Sequence, residues 1–215
     1  TNHYCDMQNA DVILTIGSNN VENHPVSSKW VQRALDNGAT WIVVDPRYTR
    51  SAEMADIYCP IRSGTDIAFY GGLFNYILEH DLWQHEYVLN YTNASYLLDE
   101  EYSFDVETGI FSGFDKDSAT YDAKTWHYQV ESTKEWDTSE GGAYAWAKAE
   151  GVPEFTPPTV EVPKRDMTLQ DPMCVFQQMK KHYSRYDLDT VSATCGMDKE
   201  LLEKVYATYA ATGAP

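Results

Sequence analysis

Three short apolar runs, each followed at once by small and polar residues, most constrain what this chain can fold into. They end at Ile16, Val44 and Ile61, all within the first third of the sequence. Strands of a parallel sheet have this pattern, because helices cover both faces and the carboxyl ends open into binding loops. Three such ends side by side predict a crevice for an extended, polar, nucleotide-like ligand.

The segments between these runs have helical spacing, in which apolar residues recur every three or four positions. Asn37 and Gly38 form a C-terminal cap for the first helix, and Thr65 or Asp66 caps a later one. Because strand–helix–strand crossovers are nearly always right-handed, we predict an α/β fold with αβα Rossmann-like layers and a mostly parallel sheet. The predicted strands are 11–16, 40–44 and 57–61, and the predicted helices are 26–37, 51–55, 66–79 and 84–90.

The second half of the chain changes in character. Residues 99–165 are acidic and aromatic, with an alternating segment at 125–130 that predicts short strands or hairpins and a proline-rich, extended stretch at 151–164. We interpret this part as an irregular acidic excursion. Helical periodicity then returns at 171–183, 188–194 and 198–211. The expected organisation is a Rossmann-like dinucleotide-binding unit (1–98), an irregular or hairpin insertion (99–165), and C-terminal helices (166–215) that pack back on the same domain.

The charge balance argues against a nucleic-acid partner. The chain has 16 basic and 33 acidic residues, a formal net charge of −17, whereas a phosphate-backbone binder needs a basic face. Backbone N–H groups can still hold a small anion locally. No apolar run approaches the ~18–20 residues of a membrane span, and we expect a segment of a longer polypeptide. The cysteines have no metal-ligand spacing and are expected to be buried or partly buried thiols, with a disulfide left open: Cys5, Cys59, Cys174 and Cys195.

The loop after the first strand contains the first candidate residues. Gly17 allows close backbone approach to a ligand, and Ser18 and Asn19 add hydrogen-bonding groups, although the full glycine fingerprint of dinucleotide sites is missing. Glu22 and His24 lie two positions apart, which is compatible with acid–base chemistry. No nucleophile or metal cluster accompanies them, so we favour a loop-anchoring role.

The loop after the second strand offers a carboxylate and two guanidinium groups. An acid at this position holds ribose hydroxyls in nucleotide-binding folds, because a carboxylate accepts two hydrogen bonds from a diol. Asp45 fits that role, but it also fits a turn-forming aspartate before Pro46. Arg47 and Arg50 suit either a phosphate or an ion pair with Asp56.

The third loop contains Arg62, Gly64, Thr65 and Asp66. Asp66 alone is best explained as a helix cap. Its ionised carboxylate, which only accepts hydrogen bonds, also suits the ring N–H groups of guanine. The residues thus leave both interpretations open.

Taken together, the three loops resemble the molybdopterin oxidoreductases of the dimethyl sulfoxide reductase family. The subgroup they resemble more closely is the large catalytic subunit of respiratory formate dehydrogenases. The segments that carry the resemblance are 17–25, 44–50 and 55–68, with 91–95, 109–113, 168–172 and 184–186 similar to that subgroup in particular.

The resemblance implies a bis(molybdopterin guanine dinucleotide) cofactor with molybdenum or tungsten, held by a selenocysteine or cysteine that this chain lacks. It also implies a 4Fe-4S cluster elsewhere in the subunit, oxidation of formate to carbon dioxide, and electron transfer to a partner iron–sulfur subunit. The remainder of the catalytic subunit would be a further partner, and the enzyme would be periplasmic. Since the cofactor performs the redox chemistry, we expect this segment to bind and orient it and to contribute no catalytic residue or metal ligand.

The family's cofactor-contacting positions fall on all three loops, and we expect Asn19, Asp45 and Asp66 to line a common wall. Two alternatives stay open: a nitrate or polysulfide reductase of the same family, and a non-catalytic α/β nucleotide-binding module. The candidate cofactor-binding residues are Ile16, Gly17, Ser18, Asn19, Asn20, Val21, Glu22, Asn23, His24, Val44, Asp45, Pro46, Arg47, Tyr48, Arg62, Gly64, Thr65 and Asp66.

Overall fold

The computed structural model describes residues 2–135 and 159–211. Contacts within the chain divide it into two compact units. The first unit is Thr1–His85 with Lys180–Pro215, and the second is Glu86–Met179. The three-part division predicted from composition stays a prediction, and residues 136–158 of the expected insertion, including most of the proline-rich stretch, lie outside the described residues.

A parallel three-stranded sheet forms the centre of the first unit. Its strands are β1 (Val12–Ile16), β2 (Thr40–Val44) and β3 (Ile57–Cys59), in the order β1-β2-β3. Ile16 pairs with Val44, and Val44 pairs with Cys59, so the three carboxyl ends are level. The predicted parallel sheet is confirmed. The third strand ends at Cys59 rather than residue 61, because Pro60 has no N–H for the ladder.

Helices follow each strand of this sheet. Pro25 occupies the first turn of α2 (Pro25–Asp36), where its missing N–H costs nothing. Thr49 caps α3 (Arg50–Met54) by accepting a hydrogen bond from the Ala52 N–H at 3.2 Å. The helices of the first unit are α1 (Asn20–Asn23), α2 (Pro25–Asp36), α3 (Arg50–Met54), α4 (Asp66–Glu79), α7 (Leu188–Cys195) and α8 (Lys199–Ala210); α5 (His85–Tyr91) and α6 (Val175–Tyr183) cross the boundaries between the units.

The side chains of β2 alternate between two hydrophobic clusters, which puts helices on both faces of the sheet. Trp41 and Val43 pack with residues of α2 and α3. Ile42 and Val44 pack with residues of α4, α7 and α8. All four side chains are at most 1% exposed. The αβα layering is therefore confirmed.

The second unit contains two antiparallel pairs. β4 (Phe114–Asp115) pairs with β5 (Thr120–Tyr121), and β6 (Val130–Glu135) pairs with β7 (Thr159–Pro163). The predicted strand at 125–130 is wrong for most of its length. The Asp122 side chain accepts from the Lys124 N–H and starts a 3-10 turn over Ala123–Thr125, so the regular strand begins only at Val130.

The structure also bears on the predictions about the cysteines and about membrane spans. All four cysteines are free; Cys59, Cys174 and Cys195 are buried and Cys5 is partly buried, as predicted. Among the described helices, none is long and apolar enough to cross a membrane.

Candidate functional site

The three loops that follow the strands begin side by side at one edge of the sheet. The Gly17 N–H donates to the Val44 carbonyl at 2.9 Å, and the Asp45 N–H donates to the Cys59 carbonyl at 3.2 Å. Gly17 has φ = 62°, a conformation that glycine adopts at little cost. These hydrogen bonds confirm the prediction that the three strand ends meet at one edge of the sheet.

Ser51 fastens the first loop to α3. Its hydroxyl lies 3.1 Å from the side-chain oxygens of both Asn19 and Asn20, and it accepts from the Val21 N–H at 3.2 Å. Its exposure is 0%. The Asn19 amide also donates to Glu22. Sequence reasoning missed Ser51 because its partners lie about 30 positions earlier in the chain.

Asp45 forms a turn with one of its two carboxylate oxygens. Oδ1 accepts from the Arg47 N–H at 2.8 Å, and the residue is 7% exposed. Within residues 2–135 and 159–211, Oδ2 accepts no hydrogen bond. The turn-forming interpretation therefore holds for Oδ1, and Oδ2 stays available to a ligand hydroxyl.

A polar cleft of about 320 Å³ opens where the first two loops meet. Its charges are two guanidinium groups and two carboxylates. Arg50 pairs with Glu53 at 2.8 Å, and this hydrogen bond raises the pKa of Arg50. The Arg47 guanidinium has no hydrogen bond or ion pair to any described residue. The lining residues are Asn19, Glu22, Arg47, Tyr48, Thr49, Arg50 and Glu53.

The Arg62 side chain contacts the C-terminal end of α7, and its predicted role in cofactor binding stays a prediction. Its guanidinium donates to the carbonyls of Ala193 at 3.3 Å and Thr194 at 2.7 Å, where a cation also favours the helix dipole. Its backbone N–H donates to the Cys195 carbonyl at 2.8 Å. The third loop is thereby fixed to α7.

The predicted site residues do not all come together. Asn19, Glu22, Arg47 and Tyr48 line the cleft, whereas Asp45 and Asp66 do not. The common wall of Asn19, Asp45 and Asp66 stays a prediction. Asn23 and His24 line a separate surface cavity of about 530 Å³ beside Trp30. Of the others, Val44 is buried, Ile16, Ser18, Asn20, Val21 and Thr65 are partly buried, and Pro46, Arg62, Gly64 and Asp66 are exposed.

The groups at the cleft fit one part of a dinucleotide. The cleft lies at the lower end of the range of about 300–1,000 Å³ for small-molecule sites, so it suits a portion of a larger ligand. A guanidinium without a partner matches a phosphate. Asp45 does not line the cleft itself but lies two positions before Arg47, and its second oxygen matches a ribose hydroxyl. In the part of the chain that the structure describes, no group of three His, Cys, Asp or Glu side chains could hold a metal ion.

Parallel strand ends that open on a polar cleft are typical of α/β domains that bind a ligand at one edge of the sheet. Residues 1–83 match the family model described as molybdopterin oxidoreductase, so this part of the chain is similar to that family. The family implies a molybdopterin cofactor.

Over its full length the chain is similar to subunits of formate dehydrogenases. It is 49% identical over 215 residues to the formate dehydrogenase subunit alpha of Megalodesulfovibrio gigas. It is 43% identical over 216 residues to the nitrate-inducible formate dehydrogenase major subunit of Escherichia coli K12. Each alignment covers 100% of this chain but 18% of the relative, so the chain spans about a fifth of the length of these relatives.

A solved structure supports the fold. The acetylene hydratase from Pelobacter acetylenicus matches with a TM-score of 0.52 and 22% sequence identity, over 94% of this chain and 17% of that chain. At this level of identity the match concerns the fold alone.

Proposed function

We propose that this chain is the dinucleotide-binding portion of a formate dehydrogenase catalytic subunit, which oxidises formate to carbon dioxide. The observation that carries the proposal is the meeting of three parallel strand ends beside a cleft with a guanidinium that lacks a partner. The relatives named above favour formate over nitrate or polysulfide as the substrate. A non-catalytic binding module is disfavoured for the same reason.

We infer that the ligand is one half of a bis(molybdopterin guanine dinucleotide) carrying molybdenum or tungsten. When bound, this cofactor supplies the two-electron redox chemistry. The chain's own residues hold it: Gly17 allows close backbone approach, Asp45 Oδ2 accepts from a ribose hydroxyl, and Arg47 pairs with a phosphate. Cofactor orientation, rather than proton transfer, is the role of this segment.

The remaining parts of the enzyme follow from the family resemblance. We propose that a 4Fe-4S cluster and the selenocysteine or cysteine ligand lie elsewhere in the catalytic subunit. An iron–sulfur partner subunit would accept the electrons, and the complex would work in the periplasm. Fractionation of cells that express the full-length enzyme, with a formate assay on each fraction, tests the location.

The test of the proposal uses the full-length enzyme. Arg47→Ala should lower the retained guanine nucleotide at least about tenfold, because a hydrogen bond between charged groups contributes roughly 1.5–3 kcal/mol. Arg33→Ala is the matched control, since Arg33 stacks on Trp30 at 4.5 Å and does not line the cleft. The measurement is nucleotide, pterin and metal content per subunit, together with formate oxidation. Wild-type enzyme without pterin or nucleotide would refute the assignment.

A further inference from the structure

We propose that Tyr48 is a stacking platform for the purine base of the bound nucleotide, and that its aromatic ring determines how long the nucleotide end is retained. The inference rests on the proposed function and names a specific contact within that site. Tyr48 is the one aromatic side chain among the described residues that line the cleft, and it is 67% exposed.

The ring of Tyr48 is supported on one side. It meets the ring of Tyr58 edge to face, with centroids 5.1 Å apart and planes at 88°. Tyr58 is itself fixed, because its hydroxyl donates to the Asp45 carbonyl at 3.0 Å. An aromatic residue that is both supported and exposed loses little conformational entropy when a planar ring stacks on it. Tyr48 is therefore preorganised for such a ring.

The neighbours of Tyr48 indicate which ring would stack there. Asp45, Arg47 and Tyr48 lie within four consecutive positions of one loop. With a ribose hydroxyl on Asp45 Oδ2 and a phosphate near Arg47, the ring attached to that same ribose is the nucleotide base. The base, rather than the pterin at the far end of the dinucleotide, is then the ring within reach of Tyr48.

A competing explanation is that Tyr48 packs against polypeptide beyond these residues. The two explanations differ in their tolerance of a leucine. A protein-packing role needs apolar volume, which leucine supplies, whereas stacking on a base needs an aromatic face. Tyr48→Phe keeps the face and removes the hydroxyl, so the variants separate ring, volume and hydroxyl.

The experiment measures the rate at which guanine nucleotide leaves the full-length holoenzyme of Tyr48→Phe, Tyr48→Leu and Tyr48→Ala, with thermal unfolding recorded in parallel. Tyr48→Phe should release nucleotide at the wild-type rate. Tyr48→Leu and Tyr48→Ala should release it roughly 5- to 150-fold faster, the equivalent of about 1–3 kcal/mol per stacked base. Tyr4→Ala is the control, since Tyr4 is 54% exposed in the same unit and does not line the cleft.

Two results would overturn the proposal: wild-type retention in Tyr48→Leu, or a Tyr48→Phe variant as fast as Tyr48→Ala. Faster release that only parallels a lower melting temperature would assign Tyr48 to packing, which also contradicts stacking. These failures differ from failure of the proposed function, in which the wild-type enzyme itself holds no guanine nucleotide.

Discussion

Gly72 in the middle of α4 is a position where a single methyl group should destabilise the first unit. A Cβ added there would lie 2.6 Å from the Tyr206 hydroxyl and 2.8 Å from Cγ2 of Val191. Both neighbours are fully buried, and the Tyr206 hydroxyl donates to the Phe69 carbonyl at 2.6 Å. The close approach of α7 and α8 to α4 therefore depends on the missing side chain.

The expected loss of stability is the net result of opposing free-energy effects. Alanine is favoured over glycine within a helix by about 1 kcal/mol. Overpacking a core costs about 1–3 kcal/mol or more, and loss of the Tyr206 hydrogen bond adds about 1 kcal/mol. We therefore expect Gly72→Ala to destabilise α4 by about 1–3 kcal/mol net. Because each 1.4 kcal/mol is tenfold, amide hydrogen exchange along α4 of the full-length enzyme should accelerate by roughly 5- to 150-fold.

The double variant Gly72→Ala/Tyr206→Phe is the matched control for this prediction. Removing the hydroxyl relieves the 2.6 Å contact but leaves Val191 in place. The double variant should therefore be less destabilised than the sum of the two single variants, by about 0.5 kcal/mol or more. If Gly72→Ala instead slowed exchange along α4, as an ordinary helical glycine-to-alanine change does, the packing interpretation would be refuted.

Three further changes test other contacts. Hydrogen bonds from the Thr168 hydroxyl and then from backbone N–H groups lower the pKa of Asp166 to about 2. The stability that these hydrogen bonds give is complete above the unfolded pKa near 4 and is lost as pH falls through about 2. Asp166→Asn should therefore lower the free energy of unfolding in urea by about 1–2 kcal/mol at pH 7, allowing for solvent screening. At pH 2 the same substitution should change it by nearly nothing. Arg62→Met should speed proteolysis at the end of α7 about fivefold, because two carbonyls lose their donor; unchanged cleavage would contradict this. Ser51→Ala should raise exchange at the Val21 N–H about tenfold, whereas an unchanged rate would show that the bond is dispensable.

The sheet was predictable because its information is local. Four of the five residues of β2, at positions 41–44, are apolar, and a strand covered on both faces requires such a run. The boundaries of the helices were harder to predict from the sequence. The helix expected from residue 171 begins at Val175, because the Asp171 side chain and carbonyl accept from the Met173 and Cys174 N–H groups and close a turn first.

The candidate site was predictable only in part, because its partners are distant in sequence. Arg62 reaches carbonyls more than 130 positions away, and no local pattern specifies such a contact. In the sequence, Ser51 is an ordinary residue of the first turn of α3. Its contact with the first loop becomes visible only in the folded chain. The residue types at the strand ends could therefore be recognised from the sequence. Only the folded chain shows which of them line the cleft and which hold the loops in place.

Asp45 shows why the local and functional interpretations of such residues need not compete. A carboxylate has two oxygens, and the turn to Arg47 uses Oδ1 alone. By fixing that turn, Oδ1 also fixes the direction in which the backbone at Arg47 and Tyr48 continues after the strand. The same contact that makes Asp45 a turn residue therefore positions the guanidinium and the ring that we assign to phosphate and base. A residue that only formed the turn would not need a second acceptor oxygen, and asparagine would replace it without loss of nucleotide.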